Sequence, residues 1–257
     1  LMDNQAPLPS LHDLLTEHPE WIVVQTFDLA GAVSGKYKDT FASVSHRWEN
    51  KEQPDPDGQQ LQAVRALLME RPNVQYVWYD YWCMPQGADR TEEEREEFDV
   101  MLTDVNLLYL GTSVLVIMDL AYMSRFWTQT EAWMSMQDAS TSGLATASEE
   151  KRRYTILPLH NASSTIANGL VEMWAGKSSQ EAHDILAQPD VIVTNQSDKD
   201  IQLPKIETLD KKVRTIVVAE GGSWGESSPV HRGRESWGDA ESMARDEAGL
   251  KQLVHDL

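Results

Sequence analysis

Glu131 stands among large aromatic side chains in the stretch "SRFWTQTEAW", residues 124–133. On a regular helix it falls one turn after Trp127, so the carboxylate and the indole share a face. Aromatic neighbours exclude water from a carboxylate, which raises its pKa and strengthens its bonds to a hydroxyl or a cation. Such a group can orient ribose hydroxyls or stabilise positive charge at a glycosidic carbon. The same pattern fits a structural glutamate, so both interpretations stay open.

Other side chains suited to a planar or phosphorylated small molecule cluster in three segments, "SHRWEN", "DYWCMPQGADR" and "DLAYMSRFW". Aromatic faces stack on rings, and arginine forks bind phosphates. The candidate ligand-binding residues are Ser45, His46, Arg47, Trp48, Asp80, Trp82, Asp119, Tyr122, Arg125 and Trp127.

Each of these segments follows a β-rich run, at 40–46, 74–81 and 113–119. Helical patterns lie between the runs, at 57–71 and 91–111, and the second opens with a capping box of Thr91 and Glu94. Ser124 is the expected cap of a further helix that reaches about Gln137. The alternation predicts an α/β fold with a parallel sheet, whose ligand crevice lies beyond the carboxyl ends of the strands.

The chain divides by composition into four parts. Residues 1–38 are predicted to be a lead with an accessory strand at 21–27, and residues 39–160 the α/β core. Within the core, 141–153 reads as a linker and 154–160 as a strand whose Pro158 favours a sheet edge. Residues 161–220 are a mixed C-terminal extension of the same domain, with helices and a short strand at 191–194. Residues 221–257 are predicted to be a flexible tail that could end in a helix over 240–257.

The formal charge is −19, from 41 acidic and 22 basic residues. This charge repels nucleic-acid phosphates and anionic lipid surfaces, so neither is an expected partner. No apolar run approaches the roughly 20 residues that span a bilayer, so no membrane insertion is expected. A single cysteine, Cys83, cannot form an internal disulfide, and we expect a reducing, cytoplasmic location.

Metal chemistry has little support in the sequence. His46 and His160 have no second ligand at a suitable spacing, and Cys83 reads as a buried structural thiol. Asp80 and Asp119 end successive strands and could bind magnesium as in a receiver domain. The density of aromatic residues around them favours a base or a nicotinamide ring, so no metal and no cofactor is predicted.

Together the segments "FASVSHRWE", "YVWYDYWCMPQ", "LLYLGTSVLVIMD" and "SRFWTQTEAW" resemble the fungal heterokaryon-incompatibility (HET) domain and the related Toll/interleukin receptor (TIR) domain. The match covers roughly residues 39–137. HET-like positions are Ser45 to Trp48, then Trp78, Asp80, Cys83 and Gln86, then Arg125, Trp127 and Glu131. TIR-like positions are Ser45, Arg47 and Glu49 in the first loop and Trp127 and Glu131 in the later helix. Trp48 and Thr128 stand where TIR domains have Gly and Cys.

The resemblance implies a flavodoxin-like sheet and cleavage of NAD at its nicotinamide–ribose bond, in signalling, defence or cell death, with Glu131 as the catalytic carboxylate. NAD is then the substrate and not a cofactor, and self-association is implied because such sites are assembled from neighbouring copies. Two alternatives stay open. One is a non-catalytic homotypic signalling domain in which Glu131 is structural, and the other is an enzyme like the nucleoside deoxyribosyltransferases.

Overall fold

The structure, a computed structural model, describes residues 8–87 and 90–221 and the backbone of residues 250–256. The strands are β1 (Ile22–Phe27), β2 (Phe41–His46), β3 (Tyr76–Trp78), β4 (Ser113–Met118), β5 (Gln137–Ser140), β6 (Gly143–Thr146), β7 (Tyr154–Pro158) and β8 (Leu250–Asp256). The helices are α1 (Leu11–Glu17), α2 (Leu29–Ser34), α3 (Gln59–Glu70), α4 (Asp80–Cys83), α5 (Glu92–Asp104), α6 (Asn106–Gly111), α7 (Phe126–Ser135), α8 (Ser164–Trp174), α9 (Ser179–Leu186) and α10 (Gln196–Ala219).

The central sheet has the order β1-β8-β3-β2-β4-β7. Strands β3, β2, β4 and β7 are parallel, whereas β8 runs antiparallel to both β1 and β3. The predicted α/β class and the four-stranded parallel sheet are confirmed, and the strand order is consistent with a flavodoxin-like fold. The chain moves from β2 to β3 on one side and later to β4 on the other, which creates a topological switch point between β2 and β4.

The parallel strands are apolar because helices cover both of their faces. All six residues of β4 are buried, as are five of the six in β2. Ser45 and His46 are consecutive in β2, so they point to opposite faces of the sheet. Ser45 faces α6 and α7, and His46 faces α3. Strand β7 forms one edge of the sheet, as Pro158 predicts.

Several boundaries differ from the sequence prediction. The strand expected at 74–81 ends at Trp78, because Asp80 begins the short helix α4. The single helix expected at 91–111 is two helices, since a tight turn with a bond from Leu108 N to Val105 O separates α5 from α6. The capping box of Thr91 and Glu94 is confirmed.

The sequence predicts Ser124 as the cap of α7, but the structure shows that it does not cap this helix. Its hydroxyl donates to the carbonyl of Ala121, and Arg125 occupies the N-cap position without a side-chain cap bond. The expected strand at 191–194 is reduced to one bridge, in which Ile192 pairs with Arg125. This bridge fixes the start of α7 to the segment that precedes α10, through bonds of 2.8 Å and 2.7 Å.

The segment 141–153 is not a simple linker, because β5 and β6 form a hairpin within 137–146. Gly143 in its turn has φ 110, and a Cβ there would lie 2.6 Å from Oδ1 of Asp210 in α10. The backbone N–H of Leu144 donates to that same carboxylate at 2.8 Å. The hairpin is thereby fixed to α10, which the sequence pattern did not reveal.

The C-terminal extension consists of α8, α9 and α10, and the helices expected there are confirmed. Most of the expected tail, at 222–249, lies outside the described residues. Residues 250–256 form β8, an antiparallel strand between β1 and β3, where the sequence suggested a terminal helix.

Candidate functional site

The predicted ligand-binding segments meet at the carboxyl ends of the parallel strands. Ser45 and His46 end β2, Asp80 follows β3, and Asp119 follows β4. Because β2 and β4 are hydrogen-bonded neighbours, the site lies at the switch point, where open α/β sheets have their ligand crevice.

Glu131 lies on α7 beside the end of β2. Ser45 Oγ donates to its Oε2 at 2.6 Å, and the hydroxyl of Tyr122 lies 2.5 Å from the same Ser45 oxygen. A serine has one hydroxyl proton, so when Ser45 donates to Glu131 it accepts from Tyr122. Tyr109 of α6 lies near enough to lower the pKa of Glu131 slightly, while its hydroxyl donates to the carbonyl of Val44 at 3.3 Å. A relay of hydroxyl groups therefore ends on Glu131.

The pKa of Glu131 is raised to about 8, mainly because burial disfavours the charged form. The bond from Ser45 opposes this rise, the charge of Asp80 adds to it, and Tyr109 opposes it slightly. The residue nevertheless keeps some solvent exposure, whereas Tyr122 and Tyr109 are fully buried. Burial also raises the pKa of both tyrosines, so they remain hydrogen-bond donors. The carboxyl group is thus desolvated and held in place, on a residue that is only partly buried as a whole.

A second network lies beside the first, around Asp80. Its Oδ1 is 2.8 Å from Nε2 of His46, and its Oδ2 accepts from the indole of Trp48 at 2.7 Å. The ring of His46 stacks on Tyr79 with centroids 4.1 Å apart, and Trp48 meets Tyr81 edge-on. These contacts fix the loop after β2 against the end of β3.

Arg47 and Asp119 form an ion pair across the switch point. Arg47 Nε donates to Oδ2 of Asp119 at 2.6 Å, and its Nη2 lies 2.5 Å from the same oxygen. Another donor of Arg47 binds the carbonyl of Trp48. Both side chains are predicted to contact a ligand, but in the structure they form hydrogen bonds with each other.

Arg125 differs from Arg47 because its side chain is not engaged. Its Nε is buried without a hydrogen-bond partner, and among the described residues its guanidinium forms no ion pair. It sits at the N-terminus of α7, the helix that carries Glu131. Trp127, one turn before Glu131, lies near Asp198 of α10, where it opposes the rise that burial causes in the pKa of that carboxyl group.

Two predicted residues lie deeper than expected. Trp82 is 2% exposed and packs obliquely on Tyr79, with centroids 4.7 Å apart. This burial favours a role in the core over contact with a ligand. Its neighbour Cys83 is also buried, and desolvation raises the pKa of the thiol far above its usual value, as expected of a structural cysteine.

Sequence reasoning missed Tyr109 at this site, and it named Glu49 and His160 without the contact between them. Tyr109 lies in the apolar run "NLLYLG", which identifies a core helix but not the direction of one hydroxyl. Glu49, in the loop after β2, lies 2.9 Å from Nε2 of His160, at the end of β7. His160 has φ 53, a left-handed conformation that is uncommon outside glycine and often marks functional loops.

No family model matches this chain, and neither does any curated protein or solved structure. In residues 8–87, 90–221 and 250–256, no helix is long and apolar enough to cross a membrane. The described side chains also include no group of three His, Cys, Asp or Glu placed to hold a metal ion.

Proposed function

We propose that this protein cleaves NAD at the bond between nicotinamide and ribose, with Glu131 as the catalytic carboxylate. The observation that carries the proposal is the position of Glu131. It is a desolvated carboxyl group, held by Ser45 at the switch point of a parallel sheet, on a residue that is only partly buried as a whole. The TIR-like and HET-like motifs in the sequence support the same reaction.

The reaction needs a negative group near the anomeric carbon. As the bond from C1′ to the nicotinamide nitrogen breaks, its electron pair leaves with nicotinamide, which departs neutral and needs no proton. Positive charge develops on the ribose, and the Glu131 carboxylate stabilises it. Water then adds to C1′ and loses a proton, so the products are nicotinamide and ADP-ribose.

The raised pKa of Glu131 is compatible with this role. At neutral pH the free protein holds the group largely protonated, because its pKa is about 8. The nicotinamide ring of NAD carries a positive charge, and an adjacent opposite charge lowers the pKa of a carboxyl group. Binding of the substrate thus favours the carboxylate that the reaction requires.

The start of α7 is suited to the diphosphate of the substrate. Arg125 has a buried Nε without a hydrogen-bond partner there, and the helix has no side-chain cap, although the N–H of Phe126 already donates to the carbonyl of Ile192. Six positions separate Arg125 from Glu131, about 9 Å along a helix. We assign Ser45 to positioning of Glu131, and Arg47 and Asp119 to shaping the crevice through their ion pair.

A non-catalytic role is the second candidate, and one observation favours it. Glu131 already accepts a bond from Ser45, so a protonated carboxyl group could serve only to join β2 to α7. The protein would then act as a homotypic signalling domain. A third reaction, nucleoside exchange, would use the same carboxylate on a different substrate.

Incubation of the purified protein with NAD separates these candidates. We expect nicotinamide release that rises faster than linearly with protein concentration if copies assemble the site. Transfer of deoxyribose from a deoxynucleoside to a free base, without NAD turnover, would identify the exchange reaction. If neither product forms at high protein concentration, the non-catalytic role is supported.

A further inference from the structure

A group of basic side chains gathers at the opposite end of the sheet from Glu131. Lys38 precedes β2, Arg71 caps the C-terminus of α3 before β3, and Lys151, Arg152 and Arg153 precede β7. The cluster is notable because the chain carries 41 acidic and only 22 basic residues. These five side chains line one open recess of about 410 Å³, together with three carboxylates, Asp39, Glu70 and Glu150.

A second recess of about 460 Å³ adjoins the first. Arg71 and Arg152 line both, so their guanidinium groups stand where the two recesses meet. The second recess lies between the edge strand β7 and helix α8, and its walls include Tyr154, Ile156 and Val171. Each volume is within the range of about 300–1,000 Å³ that small-molecule sites occupy. The first recess is lined mainly by charged side chains, whereas polar and apolar groups contribute about equally to the walls of the second.

The cations differ in how far they are already engaged. Arg153 is fully occupied, because it donates to the carbonyls of Tyr109, Thr112, Met134 and Gln137. Lys151 pairs with Asp138, and Arg152 pairs with Glu149 where both side chains are exposed. Lys38 and Arg71 form no ion pair with any described residue.

Arg71 is half-buried and has donors to spare. It donates to the hydroxyls of Ser113 at 2.8 Å and Thr155 at 3.0 Å, which leaves three of the five N–H groups of a guanidinium. Its position at the C-terminus of α3 explains why a cation stands there, but not why two recesses open beside it. A phosphate between Arg71, Lys38 and Arg152 would receive charge-assisted bonds.

We propose that the two recesses form one binding site for a nucleoside 5′-phosphate, separate from the crevice at Glu131. The phosphate lies at Arg71, Lys38 and Arg152, and the base lies in the groove between β7 and α8, against Tyr154. Asn168 of α8 also lines that groove and can bond a base edge. This proposal does not depend on NAD cleavage.

Isothermal titration of the whole chain with AMP, adenosine and inorganic phosphate tests the proposal. The key variant carries Lys38→Gln and Arg152→Gln, two exposed positions where the fold is expected to persist. The matched control carries Lys211→Gln and Lys212→Gln, which remove the same charge from the exposed face of α10. AMP should bind at least about tenfold more weakly to the key variant than to the control. Adenosine and inorganic phosphate should each bind more weakly than AMP.

Other results would overturn the proposal. Equal AMP affinity in the key variant and the control would show that Lys38 and Arg152 do not bind the phosphate of AMP. Binding that is lost with Arg125→Gln but kept in the key variant would place the nucleotide at the opposite end of the sheet. Inorganic phosphate that binds as tightly as AMP would exclude a nucleoside, and an absence of AMP binding at millimolar concentration would exclude the site. Each outcome can occur whether or not Glu131 cleaves NAD.

Discussion

The hydroxyl of Ser45 donates to Oε2 of Glu131 at 2.6 Å, across 86 positions of sequence. This bond joins the end of β2 to the middle of α7, on the side of the switch point that faces α6. Tyr122 extends it into the core. The carboxyl group therefore has a fixed orientation before any ligand arrives, which is the condition for electrostatic catalysis without reorganisation.

The protonation of Glu131 predicts how stability depends on pH. Its pKa is about 8 in the folded chain and about 4.3 in an unfolded one, so the folded state binds more protons between these values. The free energy of unfolding contributed by this group therefore falls as pH rises from about 4.5 to 8. Glu131→Gln removes this titration. Between pH 6 and pH 8 the free energy of unfolding of the wild type should therefore fall by up to about 2 kcal/mol more than that of the variant.

Urea unfolding of the two proteins at both pH values measures this difference. Groups that titrate in both proteins cancel in the comparison. A difference between wild type and variant that stays constant from pH 6 to pH 8 would show that Glu131 ionises with an ordinary pKa.

The rate of NAD cleavage should follow the same ionisation. Since the carboxylate is the active form, kcat/KM should rise with pH, reach half of its plateau near pH 8 and level off above it. The midpoint for kcat should lie at a lower pH, because bound nicotinamide favours the carboxylate. Ser45→Ala removes a donor that stabilises the charged form of Glu131, so the midpoint of its kcat/KM profile should move to a higher pH by roughly one pH unit. Ser142→Ala, at an exposed turn, is the control. A profile for Ser45→Ala that coincides with the wild type would contradict the positioning role.

Loss of the Arg125 guanidinium should weaken substrate binding. Arg125→Gln is expected to raise KM for NAD by about tenfold or more, because a charge-assisted bond to the diphosphate is lost. Its folding stability should change little, since the side chain has no described partner to lose. Arg95→Gln, on the exposed face of α5, provides the matched change of charge. Equal KM values for these two variants would show that Arg125 does not bind the diphosphate of NAD.

Arg153 should matter for stability and not for chemistry. Its guanidinium donates to carbonyls at the ends of α6 and α7 and at the start of β5, and burial lowers its pKa to about 10. Arg153→Met leaves those buried carbonyls unpaired, so we expect a loss of about 3–5 kcal/mol in urea unfolding. Arg152→Met, at the exposed neighbour, should change stability by about 1 kcal/mol or less. Similar losses in both variants would contradict the central position of Arg153.

The sequence predicts the parallel sheet well because buried parallel strands must be apolar. "SVLVIM" and "FASVSH" could be recognised for that reason, and so could the capping box at Thr91. The hairpin of β5 and β6 was missed because its turn depends on Asp210, 67 positions beyond Gly143. The strand β8 was missed because it pairs with β1 and β3 from the other end of the chain.

At the site, residue types at strand ends could be predicted but their partners could not. Pattern placed Arg47 and Asp119 in neighbouring loops, and only the structure pairs them with each other. Tyr109 was missed because a helix pattern reports which face is buried and not where a hydroxyl points. The resemblance stated from the sequence proposed Glu131 as a candidate, and its bond with Ser45 and its raised pKa supply the physical reason to test it.

The most direct test is the rate of nicotinamide release from NAD by the wild type and by Glu131→Gln, at equal protein concentration and at pH 8. Glu181→Gln, an exposed acid on α9, is the control for loss of one negative charge. The account predicts release by the wild type and by Glu181→Gln, and a loss of at least about a hundredfold in Glu131→Gln, as expected when a group that stabilises the transition state is removed. Equal release by wild type and Glu131→Gln would contradict it.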